Sequence, residues 1–254
     1  MLTKINQFAE EELNDDTINS KMLDIVYLGV QPTPYTHYLL QNLKRSPNIR
    51  IAVFFSKKEI LDLPWKSKLT DEDNHYFKKF CGIDWRVLLR SISDKHSLFY
   101  VVGYNDPTKF LVLLIRRLLN YPYCYFTDSI KTERNKYSLL KSLTLPFLFK
   151  NARAILTTGE FGIRRLRSSN YCSPETRLLN LPYFVPFPDL STKQKVTDKI
   201  KFLCSGRLVD AKGFDLVIEA FKICKDRGML RLPCRLQVQE PSNSSFRNSY
   251  SVMD

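Results

Sequence analysis

Gly206 and Arg207, then after four intervening residues Lys212 and Gly213, place two cations in one short segment. Arginine offers a planar two-pronged fork and lysine a compact point charge, a combination suited to a diphosphate. The alternative is an ordinary pair of solvated surface cations, and the flanking elements bear on the choice. Residues 200–204, Ile-Lys-Phe-Leu-Cys, have the length and apolarity of a parallel strand, which Ser205-Gly206 breaks where a crossover loop would begin. Beyond the loop Phe214, Leu216, Val217, Ala220, Phe221 and Cys224 recur at three- and four-residue steps, with Asp215, Glu219, Lys222 and Lys225 on the other side, as in an amphipathic helix. In open α/β sheets ligands bind beyond the carboxyl ends of strands, so cations in this loop are placed to meet an anion.

Upstream, strands and helices alternate in the way that builds a parallel sheet. Strands are expected over residues 23–30, 49–55, 97–103, 123–127 and 152–158, with a short extended piece over 178–182. Helices are expected over residues 37–45, 107–119, 136–149 (bent by Pro146) and 159–168. Residues 57–94 are less regular and read as an insertion or crossover with a short helix after Asp84. The expected organisation is a polar acidic tail over 1–20, a Rossmann-like domain over 21–185, a proline-containing and charged linker over 186–198, the start of a second Rossmann-like domain over 199–238, and a disordered tail over 239–254.

Within this frame Asp128 ends a strand, where it is a candidate for contact with substrate or a turn and cap residue. The further cleft candidates are His37, which follows a Pro-Thr-Pro loop at the first strand-to-helix turn where such a domain approaches ligands, and Tyr104 and Asn105, which follow the strand over 97–103. His75 and His96 have no partners at metal-ligand spacing, and no metal site is expected.

Composition narrows the classes. With 254 residues and 44% hydrophobic content the chain can bury one large or two modest cores. A formal charge of +13 predicts attraction to anionic partners, whether phosphorylated metabolites, anionic lipid or nucleic acid. Nucleic acid is not the expected partner, because no helix-turn-helix, zinc-finger or RNP-like pattern accompanies the charge. Between residues 131 and 167 the cations Lys131, Arg134, Lys136, Lys141, Lys150, Arg153, Arg164, Arg165 and Arg167 outweigh Glu133 and Glu160, a density that suits an anionic membrane surface or solvated helix faces. The six cysteines are scattered without a C-x-x-C pair and read as buried thiols of a reducing cytoplasm. Glu10, Glu11, Glu12, Asp15 and Asp16 argue against a secretory signal, and no apolar run approaches the roughly 20 residues of a membrane span. The expected location is cytoplasmic, with a peripheral seat on the cytoplasmic face of the membrane as an extension.

The loop Gly206-Arg207 to Lys212-Gly213, with Glu219-Ala220-Phe221 ending the helix, resembles the opening of the second domain of family 4 glycosyltransferases, retaining enzymes of the GT-B fold. Gly103-Tyr104-Asn105-x-Pro107, Tyr125-Phe126-Thr127-Asp128-Ser129, Leu156-Thr157-Thr158-Gly159 and Asn180-Leu181-Pro182-Tyr183-Phe184-Val185-Pro186 are similar to a subgroup of the same family and occur in the expected order. The resemblance implies that Gly206, Arg207 and Lys212 hold a donor diphosphate, and that Asp128, Tyr104 and Asn105 face the acceptor side, Asp128 standing where many relatives place a histidine. It further implies a nucleoside-diphosphate-sugar as co-substrate with no other cofactor, a glycan or lipid-linked acceptor, and sugar transfer with retention. The family's paired glutamates have no counterpart in the some fifty-five residues after Lys199, where the glycine-rich continuation is replaced by Gln239-Glu240-Pro241-Ser242-Asn243-Ser244-Ser245. A complete domain of this kind needs on the order of 150 residues. The expectation is therefore a glycosyltransferase-like chain with an incomplete donor domain and impaired activity. A non-enzymatic or partner-binding module, and a basic membrane-binding protein, are the alternatives.

Overall fold

The computed structural model describes residues 22–58, 74–128, 138–169, 171–183, 201–205, 212–228, 235–239 and 250–252. The chain forms two compact units, residues 1–186 and 187–254. The expected acidic tail (1–20) and linker (186–198) lie outside the described residues.

In the first unit the strands are β1 (Leu23–Gly29), β2 (Ile49–Phe55), β3 (Asn74–Tyr76), β4 (Leu98–Val102), β5 (Tyr123–Thr127), β6 (Ala154–Thr157) and β7 (Leu178–Asn180). The helices are α1 (Pro34–Lys44), α2 (Trp85–Ser93), α3 (Pro107–Leu118), α4 (Ser138–Phe149) and α5 (Gly159–Arg167). The strands form one seven-stranded sheet in the order β3-β2-β1-β4-β5-β6-β7, and every pairing in it is parallel. The chain builds outward from β1 to β3, returns to lay β4 on the other side of β1, and builds outward again to β7. This is a Rossmann-like α/β fold with its switch point between β1 and β4.

Strand alternation distributes the core over both faces of the sheet. Val26, Leu28, Phe99, Val101, Tyr123 and Tyr125 pack against Val87 and Leu88 of α2, Val112 and Leu113 of α3, and Leu145, Leu148 and Phe149 of α4. The alternate residues Tyr27, Val53 and Phe55 pack against Leu40 of α1, with Tyr100 and Val102 beside them.

Two buried polar groups tie loops to this core. Asp84, fully buried, caps α2 by accepting from the Arg86 backbone N–H at 3.0 Å, and also accepts from the Lys78 N–H at 2.6 Å and the Arg86 guanidinium at 2.7 Å. Arg116 of α3, also fully buried, donates to the carbonyls of Ser91, Asp94, Ser97 and Pro122 and lies 4.2 Å from the centre of the Phe99 ring.

Three departures from the sequence expectation have local causes. Helix α1 begins at Pro34 rather than His37, because Thr33 accepts from the Thr36 N–H at 3.2 Å and proline suits the first helical position. The irregular region contributes β3, a three-residue edge strand held to β2 by backbone pairing, and the expected helix after Asp84 is α2. Cys81 is exposed, not buried. It has φ 50° and its neighbour Gly82 φ 80°, at a tight turn closed by the Phe80–Ile83 bridge.

The described part of the second unit comprises β8 (Lys201–Ser205), α6 (Phe214–Asp226), β9 (Arg235–Gln239) and β10 (Tyr250–Val252). β8 and β9 are parallel, and β10 adds antiparallel to the free edge of β9. That edge pairing gives Tyr250–Val252 strand structure within the segment expected to be a disordered tail. On α6 the half-buried residues are Phe214, Val217, Phe221 and Cys224, while Leu216 and Ala220 are exposed, so the packed stripe is narrower than the sequence pattern.

Candidate functional site

A cavity of about 220 Å³ opens at the carboxyl ends of β1, β4 and β5, directly at the switch point. This is the place where open α/β sheets bind ligands. Its floor comes from side chains that alternation turns to the α1 face: Tyr27 of β1, Tyr100 and Val102 of β4, and Phe126 of β5. The Tyr27 and Tyr100 rings stack at 5.3 Å with an interplanar angle of 16°. Gly29 permits this floor, since a Cβ there would stand 2.7 Å from ring carbons of both Phe55 and Tyr27. Burial raises the pKa of the Tyr27 and Tyr100 hydroxyls well above the ordinary phenol value, so both stay protonated near neutral pH.

The walls carry the polar groups. Gln31, in the loop after β1, is 7% exposed and its Oε1 has no hydrogen-bond partner among the described residues. Thr33 and Thr36 line the α1 side and are hydrogen-bonded to each other at 2.7 Å. Tyr35 of α1 meets Tyr183 at the cavity, their ring centroids 4.3 Å apart.

Asp128 lies in this cavity, at the end of β5. The Tyr183 hydroxyl donates a short hydrogen bond to Asp128 Oδ1, and Thr158 Oγ1 lies 3.3 Å from the same oxygen. Oδ2 receives no bond from any described residue, and Asp128 is exposed. Burial and the adjoining Asp128 carboxylate raise the Tyr183 pKa, so this tyrosine remains a donor. The segment carrying Thr158 is fixed in turn, because the Gly159 N–H donates to Asn180 Oδ1 at 2.8 Å where Gly159 has φ 77°. Three of the sequence motifs therefore meet at one place: Asp128 from the first, Thr158 and Gly159 from the second, Asn180 and Tyr183 from the third.

The remaining candidates fall elsewhere. His37 is half-buried in the first turns of α1, its N–H on the Thr33 carbonyl at 2.8 Å, and it does not line the cavity. Tyr104 packs on the opposite face of the sheet, 6.1 Å from the Tyr125 ring, with its pKa raised by burial. Asn105 is exposed outside the cavity. In the second unit Lys212 is exposed immediately before Gly213, whose φ of 63° starts α6. Gly206 and Arg207 lie outside the described residues.

Sequence reasoning missed the tyrosine lining and Gln31. Tyr27, Tyr100 and Phe126 share one sheet face only once β1, β4 and β5 are in register, and no spacing along the chain reveals that. Among the described residues no group of histidine, cysteine or acidic side chains could hold a metal ion.

Fold and site together define a Rossmann-like α/β protein with a tyrosine-lined cavity at its switch point. No protein-family model matches the chain, and no curated protein is similar to it. No helix among the described residues is long and apolar enough to cross a membrane.

Proposed function

We propose that the chain is a glycosyltransferase-like protein of the GT-B class, with a sugar acceptor seated in the cavity of the first unit and the donor diphosphate held by Gly206, Arg207 and Lys212 of the second. The observation that carries this reading is the composition of the cavity. Aromatic faces from Tyr27, Tyr35, Tyr100 and Tyr183 surround a small set of hydrogen-bonding groups, Asp128, Gln31 and Thr33. Such a lining suits a sugar ring, whose C–H faces pack on aromatic surfaces while its hydroxyls need fixed acceptors and donors.

In this reading Asp128 Oδ2 accepts from a sugar hydroxyl while Tyr183 and Thr158 hold Oδ1 and fix the carboxylate's orientation. A carboxylate so placed orients the attacking hydroxyl and favours the positive charge that develops on it as the bond to the donor forms. Gln31, with a buried amide oxygen lacking a partner among the described residues, supplies a second acceptor from the β1 side. Arg207 and Lys212 would offset charge on the leaving diphosphate. The cytoplasm, where nucleotide sugars are made, is the location this reading implies.

Calorimetric titration of the full chain with UDP-, GDP- and ADP-sugars tests the donor half. Saturable heat with one donor class, lost in Arg207→Ala and in Lys212→Ala, is expected. A folded chain that takes up none of the three overturns the reading.

A further inference from the structure

Helix α2 carries apolar residues on two faces. Val87 and Leu88 pack into the core and Ser91 is buried with them, whereas Trp85, Leu89 and Ile92 point outward with 51%, 64% and 47% of their surfaces exposed. Positions 85, 89 and 92 are spaced four and three residues apart and so form one continuous stripe. Phe80, 73% exposed, projects from the turn that leads into the helix. Arg86 and Arg90 run along one flank of the stripe, at positions i+1 and i+5 from Trp85.

The electrostatics around this stripe are one-sided. Residues 74–96 contain five cations, Lys78, Lys79, Arg86, Arg90 and Lys95, against two carboxylates, Asp84 and Asp94. Asp84 is fully buried and bonded to Arg86 and the Lys78 N–H, Asp94 is bonded to Ser97 and lies 3.9 Å from Arg90, and Lys79 pairs with Asp106 at 2.5 Å. Lys78 and Lys95 are exposed and enter no ion pair among the described residues.

We infer that α2 and the Phe80 turn form a docking face for an anionic lipid bilayer, with Trp85, Leu89, Ile92 and Phe80 entering the acyl boundary and the flanking cations meeting lipid phosphates. A helix with an apolar stripe, an aromatic residue and flanking arginines is built to lie in the interface plane. Long cationic side chains reach back to headgroups while their stems stay in apolar surroundings. A protein partner fits less well, because four side chains fall far short of the roughly 20–30 residues per side of a stable interface. Nucleic acid would gain nothing from exposed leucine and isoleucine. This face is separate from the cationic stretch 131–167 and stands whether or not the protein transfers sugars.

Trp85 is one of two tryptophans, so a Trp65→Phe background makes it the sole reporter. The full chain is mixed with vesicles of phosphatidylcholine alone, and with vesicles that also contain phosphatidylglycerol. On the anionic vesicles Trp85 emission should shift to the blue and be quenched by brominated acyl chains, with co-flotation of the protein. Leu89→Ser/Ile92→Ser, at exposed positions, should weaken binding at least tenfold with an unchanged far-ultraviolet spectrum. Lys78→Glu/Lys95→Glu should remove the preference for anionic vesicles. Unshifted Trp85 emission, or flotation unaffected by Leu89→Ser/Ile92→Ser, would overturn the inference, the latter by assigning membrane affinity to another surface. So would a dimer in vesicle-free solution that the same double substitution dissociates, which would make a second copy the occupant.

Discussion

Replacing Arg116 by methionine should cost the first unit about 3–5 kcal/mol, the range for breaking a buried charged group whose two Nη atoms are both hydrogen-bonded. Nη1 donates to the carbonyls of Ser91 at 3.3 Å and Asp94 at 2.5 Å, and Nη2 to those of Ser97 at 2.5 Å and Pro122 at 2.8 Å. These carbonyls belong to the end of α2, the turn after it, the approach to β4 and the approach to β5, so one side chain fastens four stretches of backbone. Hydrogen bonds to a charged group contribute roughly 1.5–3 kcal/mol each. Four bonds sum to a gross gain well above the net figure, but removing a guanidinium from water offsets several kcal/mol of it. Methionine preserves most of the packing on Phe99 and removes the guanidinium donor from all four carbonyls, that of Pro122 keeping the Phe99 N–H, so the substitution isolates the polar contribution. Against a domain stability of about 5–15 kcal/mol, the loss is a large fraction of the whole. In urea, with a slope of about 2 kcal/mol per molar, the midpoint seen by circular dichroism should fall by roughly 1.5–2.5 M. Arg116→Lys should lose most of the same stability, because an ammonium cannot span four acceptors from one position. A methionine variant within about 1 kcal/mol of wild type would refute the reasoning.

Other perturbations have equally definite outcomes. Lys109 is 2% exposed, donates to the Val102 carbonyl at 2.9 Å, and has its pKa lowered by burial to about 7. Because the unfolded lysine holds its proton up to about pH 10.4, the burial penalty is complete below about pH 7 and fades between there and pH 10.4. Wild-type stability should therefore rise from about pH 6 to about pH 9 relative to Lys109→Met, and urea midpoints that keep a constant difference over that range would contradict this. Gly29→Ala sets a methyl 2.7 Å from the Phe55 and Tyr27 rings, which should cost about 1–3 kcal/mol and displace the Tyr27 floor of the cavity. Unchanged thermal stability in that variant would show that the rings yield freely. Asp84→Ala removes the cap of α2, strips the Lys78 N–H of its acceptor and leaves the Arg86 guanidinium with the Tyr76 carbonyl, with an expected loss of about 2–4 kcal/mol read from the same urea transition.

How far the fold could be read in advance depended on burial. Ile49–Phe55 and Tyr123–Thr127 are strands at the expected residues, because a strand covered on both faces is a near-continuous apolar run, broken in the first only by the exposed Arg50. Asn74–Tyr76 carries no such run and exists as a strand through backbone pairing to β2, so its sequence is silent. The start of α1 was written in Thr33-Pro34, a cap followed by a first-turn proline, but a Pro-Thr-Pro string also reads as loop. Asp128 was legible as a motif residue at a strand end. Its bonds to Tyr183 and Thr158 join residues 55 and 30 positions away along the chain, which only the sheet topology brings together. His37 and Tyr104 were placed by proximity to strand ends, and side-chain direction then separated them from the cavity.

The claim that most needs testing is that the cavity at the switch point binds a sugar through Asp128. Saturation-transfer NMR of the full chain with a set of methyl glycosides, repeated with Asp128→Asn and Tyr183→Phe, addresses it directly. At least one glycoside should give saturable transfer that Asp128→Asn abolishes and Tyr183→Phe weakens, with both variants retaining the wild-type fold. Transfer of equal strength in all three proteins would place sugar binding elsewhere, and none from the folded wild type would contradict the account.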